Sequence, residues 1–248
     1  MAAIRDHFSG HAAQYATARP GYPAALYDWI ATRAPAQRLA WDCGTGNGQA
    51  AIGLARHFAR VVATDASAAQ IASAVARAHV EYRVAPAGNS GLPSAGADAV
   101  TVAQALHWFP LEAFYAEVRR VLRPQGLLVV WCYGVPSIAP ALNALTQEFY
   151  RDVVGPYWPA ERKFVEDGYR SLAFPFEPIA VPAFEMRQRW TLVRYLAYLR
   201  SWSATQRFIA ARGFDPVDEL ATRLGTLWKT GARWVRWPLY LRAALHGR

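Results

Sequence analysis

The sequence has little cysteine: Cys43 and Cys132 are the only two in 248 residues. Both sit in apolar, strand-like contexts, so the expectation is two reduced, buried thiols in a cytoplasmic protein rather than a disulfide or a metal site. No apolar run approaches membrane-spanning length. The first twenty residues carry Arg5, Asp6, His7, His11 and Arg19 without a continuous apolar stretch, and no secretory signal is read there. Acidic residues are also few, 18 Asp and Glu against 27 Lys and Arg, which gives a net charge of +9. That balance would suit an anionic partner, whether nucleic acid, membrane surface or acidic substrate. The arginines between Arg187 and Arg242 are nevertheless scattered without a compact run, which favours a solvated basic surface over nucleic-acid binding. There is no internal repeat, low-complexity segment, catalytic triad or set of metal-spaced ligands.

What is present alternates. A short apolar strand over 38–43 runs into the turn Gly44-Thr45-Gly46-Asn47-Gly48, and Ala51, Leu54, Ala55 and Phe58 then recur at helical spacing. Val61 to Ala63 form a second strand that stops at Asp65. Ser67 is a cap for a helix carrying Ile71, Ala74, Val75 and Ala78 on one face. Strands are predicted at 80–85 and 97–103, then a helix that opens at Pro110 and is closed by Pro124 and Gly126, and a fifth strand at 127–131. Five strands separated by helix-length segments imply a parallel sheet covered on both faces.

Beyond Pro136 the pattern changes to helices and aromatic-rich loops, with Tyr150, Tyr157, Trp158, Phe164, Tyr169, Phe174 and Phe176 among several prolines. Alternation returns at 183–190 and 234–241, with Pro238 placing a bulge or a local loss of pairing in the second of these strands. Between them Ser203 and Gln206 form a capping-box pattern, Gly213 is a helix stop, and Asp215-Pro216 starts another helix.

The glycine turn lies between a strand and a helix, where main chain without side chains lets a ligand approach closely. Its spacing is G-x-G-x-G, not the G-x-G-x-x-G of a dinucleotide site, which points away from nicotinamide cofactors. Asp65 ends the second strand, where a carboxylate can accept from both hydroxyls of a ribose. Together they indicate a nucleoside ligand. The plainer alternative is a tight turn and a helix cap.

The sequence resembles the class I methyltransferases, in particular the type 11 small-molecule group that includes trans-aconitate methyltransferase. The resemblance rests on Tyr15-Ala-Thr-Ala-Arg19-Pro-Gly-Tyr-Pro23, the Asp42 to Gly48 turn, Val62-Ala-Thr-Asp65, Tyr82-Arg-Val-Ala-Pro-Ala87, Ala103-Gln-Ala-Leu-His-Trp-Phe109 and Arg120-Val-Leu-Arg-Pro-Gln-Gly126. It implies a Rossmann-like α/β fold with seven strands in the order 3-2-1-4-5-7-6, the last antiparallel, and S-adenosylmethionine as methyl donor. By the same resemblance Gly44, Thr45 and Gly46 line the methionine part of the donor and Asp65 its ribose. Ala66 and the Ala87-Gly88 turn flank the adenine, Gln104 lies near the sulfonium, and Asp42 reaches the donor's amino group through water. Two positions depart from the pattern: Gln125 stands where related sequences often have Gly, and Gly88 where many have an acid.

The whole chain then reads as one methyltransferase domain. Residues 1–35 are N-terminal cap helices and 36–135 the donor-binding core. Segments 136–182 and 191–230 are lid or acceptor-side insertions, and 183–190 and 232–242 the final strands. Tyr15 and Arg19, one helical turn apart, are placed to close over the donor, with Arg19 pairing its carboxylate. Gln104, His107 and Trp108 follow the fourth strand, at the edge where α/β sheets bind ligands. His107 is a base, an orienting hydrogen-bond donor or a packed bystander. The expected acceptor is a small molecule, a carboxylate or another oxygen or nitrogen nucleophile, lying against His107 and Trp108 beneath the 150–176 aromatics and the helix carrying Trp202. Two rivals stand beside this reading: a donor-binding regulatory module without turnover, and an RNA methyltransferase, which the basic charge suggests but no appended RNA-binding motif supports.

Overall fold

The computed structural model describes residues 19–247. Seven strands form one sheet: β1 (Leu39–Cys43), β2 (Arg60–Asp65), β3 (Val80–Val84), β4 (Ala97–Ala103), β5 (Leu122–Tyr133), β6 (Glu185–Trp190) and β7 (Arg233–Leu245). Their spatial order is β3-β2-β1-β4-β5-β7-β6. The first five are parallel neighbours, and β7 runs antiparallel to both β5 and β6. This is the strand order the resemblance implied, with the last strand reversed.

Alternation along the central strands explains the layers. Trp41, Val62, Val100 and Leu128 face one side, against Phe114, Val118 and Val121 of α4 (Leu111–Val121). Their neighbours Ala40, Val61, Ala99 and Leu127 face the other, against Leu26 and Ile30 of α1 (Ala24–Arg33) and Leu54 of α2 (Gln49–Leu54). A strand whose side chains all find cover needs apolar residues at consecutive positions, and that is why these strands read as continuous apolar runs. A third cluster joins the β6 and β7 residues Met186, Trp190, Val235 and Trp237 to Tyr133 at the end of β5. It is built on the helices α5 (Pro140–Glu148), α7 (Leu192–Arg200), α8 (Ser203–Arg212) and α9 (Val217–Trp228), while the short α6 (Arg162–Glu166) packs its Val165 on the α4 side of the sheet.

Several local expectations need correction. The helix after Ser67, α3, spans only Ala68–Ala72; Ser67 does cap it, accepting from the Gln70 amide, but Ala74, Val75 and Ala78 lie beyond it and Val75 is exposed. The α4 helix ends at Val121 without help from Pro124 or Gly126, because Leu122 is already extended and pairs with Ala97 of β4. Sheet pairing therefore overrides the turn signals, and β5 takes in both residues. Gln125 adopts a positive φ of 62° there, a backbone conformation that glycine takes without strain. No capping box forms at Ser203, which is already helical, while the Gln206 amide donates back to the Arg200 carbonyl. Gly213 closes α8 at φ 78°, as expected. Pro238 causes no register shift: β6 pairing ends at Pro238 and β5 pairing begins at Leu239, so the missing N–H falls where β7 changes partners.

The 150–176 aromatics are largely core. Phe164, Tyr169, Phe174 and Phe176 pack on the α4 side of the sheet, and Tyr150, Tyr157 and Trp158 join the helical cluster with Trp202.

Candidate functional site

The carboxyl ends of β1, β2 and β4 converge on the glycine turn. Gly44, Gly46 and Gly48 have φ of 67°, 57° and 90°, all in the left-handed region. They differ in surroundings. A Cβ on Gly44 would lie 2.7 Å from Ala105 Cβ and 2.8 Å from Phe109 Cζ, and one on Gly48 would strike the Tyr82 ring. One on Gly46 would meet only Gln70 Oε1, at 3.6 Å. Gly44 and Gly48 are thus glycines for packing, whereas Gly46 leaves main chain open to a ligand.

Asp65 holds that turn in place. Its Oδ2 accepts from the Gly46 amide at 2.9 Å and its Oδ1 from the Ser67 amide at 2.9 Å. The helix-cap alternative and the ribose role are compatible, since a carboxylate offers about four acceptor directions. Ala66 beside it is exposed, Ala87 is buried, and a Cβ on Gly88 would lie 2.9 Å from Ala113 Cβ, so close packing on α4 accounts for glycine at 88.

Asp42 is fully buried, with Oδ2 accepting from the Thr45 hydroxyl at 2.6 Å and Oδ1 from the Thr101 hydroxyl at 2.7 Å. It ties the glycine turn to β4 from beneath. Burial outweighs these bonds and raises its pKa from the usual carboxylate range to about 6. The folded state therefore binds the Asp42 proton more tightly than the unfolded chain does. Stability from this group is present at low pH and falls as pH rises from about 4 to about 6. Asp42→Asn, which keeps partners for both hydroxyls, is expected to remove that descending arm. Denaturant unfolding at pH 5 and pH 7.5 checks this, and parallel losses in the two proteins would refute it.

Gln104 leaves β4 at a φ of 58°. Its Oε1 accepts from the Tyr133 amide at 2.8 Å and its Nε2 donates to the Tyr133 carbonyl at 3.5 Å, so the side chain completes the end of β5. Arg19 donates to the Tyr133 hydroxyl at 2.9 Å and to the Ser201 carbonyl at 3.1 Å, and lies over the Tyr198 ring. It bridges the end of β5 to the helical cluster. Tyr15, its expected companion, lies outside the described residues.

His107 and Trp108 sit in a single helical turn, Leu106–Trp108, with ring centroids 4.7 Å apart. His107 Nδ1 is 2.9 Å from the Tyr169 hydroxyl. Burial, helped by the Arg162 guanidinium, lowers the His107 pKa to about 3, so the ring is neutral at ordinary pH. Trp202, which lies between α7 and α8, is buried against Phe149, Tyr150, Trp158 and Tyr198. Sequence reasoning did not single out Tyr133, though its place at the carboxyl end of the strand beside β4 was a usable signal. Thr101 is a neutral residue inside an apolar run and gave none. Two open clefts, of about 340 and 540 Å³, run along β6 and β7 around Arg236 and include neither the glycine turn nor His107. Among the described residues, no group of three or more His, Cys, Asp or Glu could hold a metal, Cys43 and Cys132 are free and buried, and no helix is long and apolar enough to cross a membrane.

A sheet of this order, with a glycine turn after β1 and an acid ending β2, defines a Rossmann-like protein with a nucleoside site. Comparison with known proteins narrows the class. A family model described as a methyltransferase domain matches residues 41–130. A Dictyostelium discoideum protein named as a methyltransferase is 34% identical over 229 residues, covering 91% of this chain and 87% of that protein. A methyltransferase of Aspergillus candidus is 31% identical over 204 residues, covering 70% of this chain and 64% of that one. A solved structure from Anaeromyxobacter dehalogenans, named as a type II methyltransferase, superposes with a TM-score of 0.87 at 42% identity, covering 92% of this chain and 98% of that one. The chain belongs to the class I S-adenosylmethionine-dependent methyltransferases, and S-adenosylmethionine is its cofactor.

Proposed function

We propose that this enzyme methylates a small-molecule acceptor that lies against His107 and Trp108. The observation that carries the reading is position: the Leu106–Trp108 turn follows β4, the strand paired with β1, so it adjoins the glycine turn. The donor supplies a methyl group on a sulfonium, and the acceptor's lone pair forms the new bond as the carbon–sulfur pair returns to sulfur. What remains for the protein is alignment and the exclusion of water. Gly46 fits the donor because its main chain is open, and Asp65 fits because its carboxylate is held at the rim of that opening. Gly44 and Thr45 would line the same methionine end, Ala66, Ala87 and Gly88 the adenine, and Gln104 the region of the sulfonium. Segments 136–182 and 191–230 would form the acceptor side of one continuous domain.

On this reading His107→Ala lowers turnover at least tenfold while donor affinity stays within about twofold of wild type, because the side chain serves the acceptor and the transition state. Donor affinity by calorimetry and turnover on an acceptor found by labelled-donor screening check it. Equal losses of donor binding and rate would move His107 to the donor side, and wild-type turnover would remove it from the site.

A further inference from the structure

Sheet pairing gathers arginines that the sequence scatters. On β6, Glu185, Arg187 and Arg189 are exposed while Met186 and Trp190 are buried in the helical cluster; on β7, Trp234 and Arg236 are exposed while Val235 and Trp237 are buried there. The antiparallel register sets Arg187 opposite Arg236 and Arg189 opposite Trp234. Like charges placed directly opposite each other on a sheet are destabilising. Glu185 offsets part of that cost, reaching Arg236 Nε at 3.2 Å and Arg187 Nη1 at 3.5 Å. It is a single carboxylate shared by two guanidiniums. Arg189 and Arg233 have no carboxylate partner among the described residues. Arg189 donates to the Ala232 carbonyl at 3.4 Å, and Arg233 to the Trp228 carbonyl at 3.0 and 2.9 Å. Arg189, Arg233, Trp234 and Arg236 line the open cleft of about 340 Å³, which contains no acidic residue. Trp234 is 45% exposed, with the Arg187 guanidinium 5.0 Å from its ring centroid.

We propose that this cleft binds a nucleoside polyphosphate, with the terminal phosphates taken by Arg189, Arg233 and Arg236 and the base stacked on Trp234. A guanidinium presents paired N–H groups that match phosphate oxygens, and an indole half in water offers a flat face to a base. Charge selects among anions. A carboxylate answers one guanidinium and leaves the rest, whereas a chain of terminal phosphates answers several. NAD, whose two phosphates are internal, carries too little charge for this cleft. Shape selects a small ligand, because a flat membrane surface cannot enter a cleft and small-molecule sites have volumes of about 300 to 1,000 Å³. A second copy of the chain would bring the same positive face and be repelled.

The test is calorimetric titration of the full chain with ADP and with inorganic pyrophosphate, the donor site being kept filled by the demethylated product of S-adenosylmethionine. The expected result is one ADP per chain with a Kd below about 1 mM, weakened roughly tenfold or more in Arg189→Gln and in Arg236→Gln. Trp234→Ala should weaken ADP and leave pyrophosphate unchanged, because only the nucleotide has a base to stack. Thermal unfolding shows whether each variant is folded, and the wild-type titration decides the binding claim whatever the variants do. Absence of ADP binding at millimolar concentration, or ADP binding unchanged in both folded arginine variants, would overturn the proposal. Equal losses of ADP and pyrophosphate in Trp234→Ala would overturn the stacked base. An oligouridylate, or vesicles containing phosphatidylserine, held tenfold more tightly than ADP through the same arginines would assign the face to a nucleic acid or a membrane instead.

Discussion

Asp65→Ala is expected to weaken S-adenosylmethionine binding by about 1.5 to 3 kcal/mol, roughly ten- to hundredfold, the range for hydrogen bonds to a charged group. The Asp65 carboxylate ends β2 and anchors the Gly46 and Ser67 amides, each at 2.9 Å. Alanine therefore removes the carboxylate proposed to accept from the ribose and also loosens the turn proposed to hold the donor. Loss of the two backbone bonds lowers stability by about 1 to 3 kcal/mol. Asp65→Asn separates the contributions, because its carbonyl keeps one of the two anchors while the charge is lost. Calorimetry with S-adenosylmethionine, with its demethylated product and with NAD reads the outcome. The wild type binds the first two and not NAD; unchanged affinity in folded Asp65→Ala would reduce Asp65 to a backbone anchor.

Gly44→Ala and Gly46→Ala should fail in different ways. Both place an L side chain at positive φ, which costs about 1 to 2 kcal/mol. At Gly44 the new methyl also collides with Ala105 and Phe109, and overpacking of that kind costs about 1 to 3 kcal/mol more. Gly44→Ala is thus expected to lower the melting temperature by roughly 4 to 20 °C, at about 2 to 4 °C per kcal/mol for a chain of this size. At Gly46 the methyl meets no backbone within 4 Å, so the loss of stability is confined to the strain. On the proposed placement of the donor against this main chain, its affinity should still fall more than tenfold. Thermal unfolding beside calorimetry distinguishes the two variants, and wild-type donor affinity in Gly46→Ala would mean that this peptide is not approached.

The glycine turn and its surroundings were legible in the sequence because their determinants are local. Strand, glycine turn and acid lie within Leu39 to Asp65, and each carries its own signature in spacing or composition. Fold order was legible only through resemblance, since alternation predicts strands but not which strand neighbours which. Where local signals misled, tertiary pairing prevailed. Leu122 extends into β5 despite Pro124 and Gly126, and Ala74, Val75 and Ala78 carry helical spacing without a surface to cover. The surroundings of His107 and Arg19 were least legible, because their contacts are long-range. His107 meets Tyr169 across 62 residues and Arg19 meets Tyr133 across 114, and no periodicity announces such pairs. The aromatic density of 150–176 was visible, yet composition alone does not separate Tyr169, which touches His107, from Trp158 and Phe176, which pack elsewhere.

The central claim, methyl transfer to a small molecule at a site bounded by Gly46, Asp65 and His107, is tested most directly by following the label. The wild-type chain is incubated with methyl-labelled S-adenosylmethionine and pools of small organic acids, and in parallel with total RNA. The account predicts label in a small-molecule product, lost in Gly46→Ala and strongly reduced in His107→Ala, with RNA unlabelled. Label confined to RNA, or donor binding without label in any pool, would contradict it.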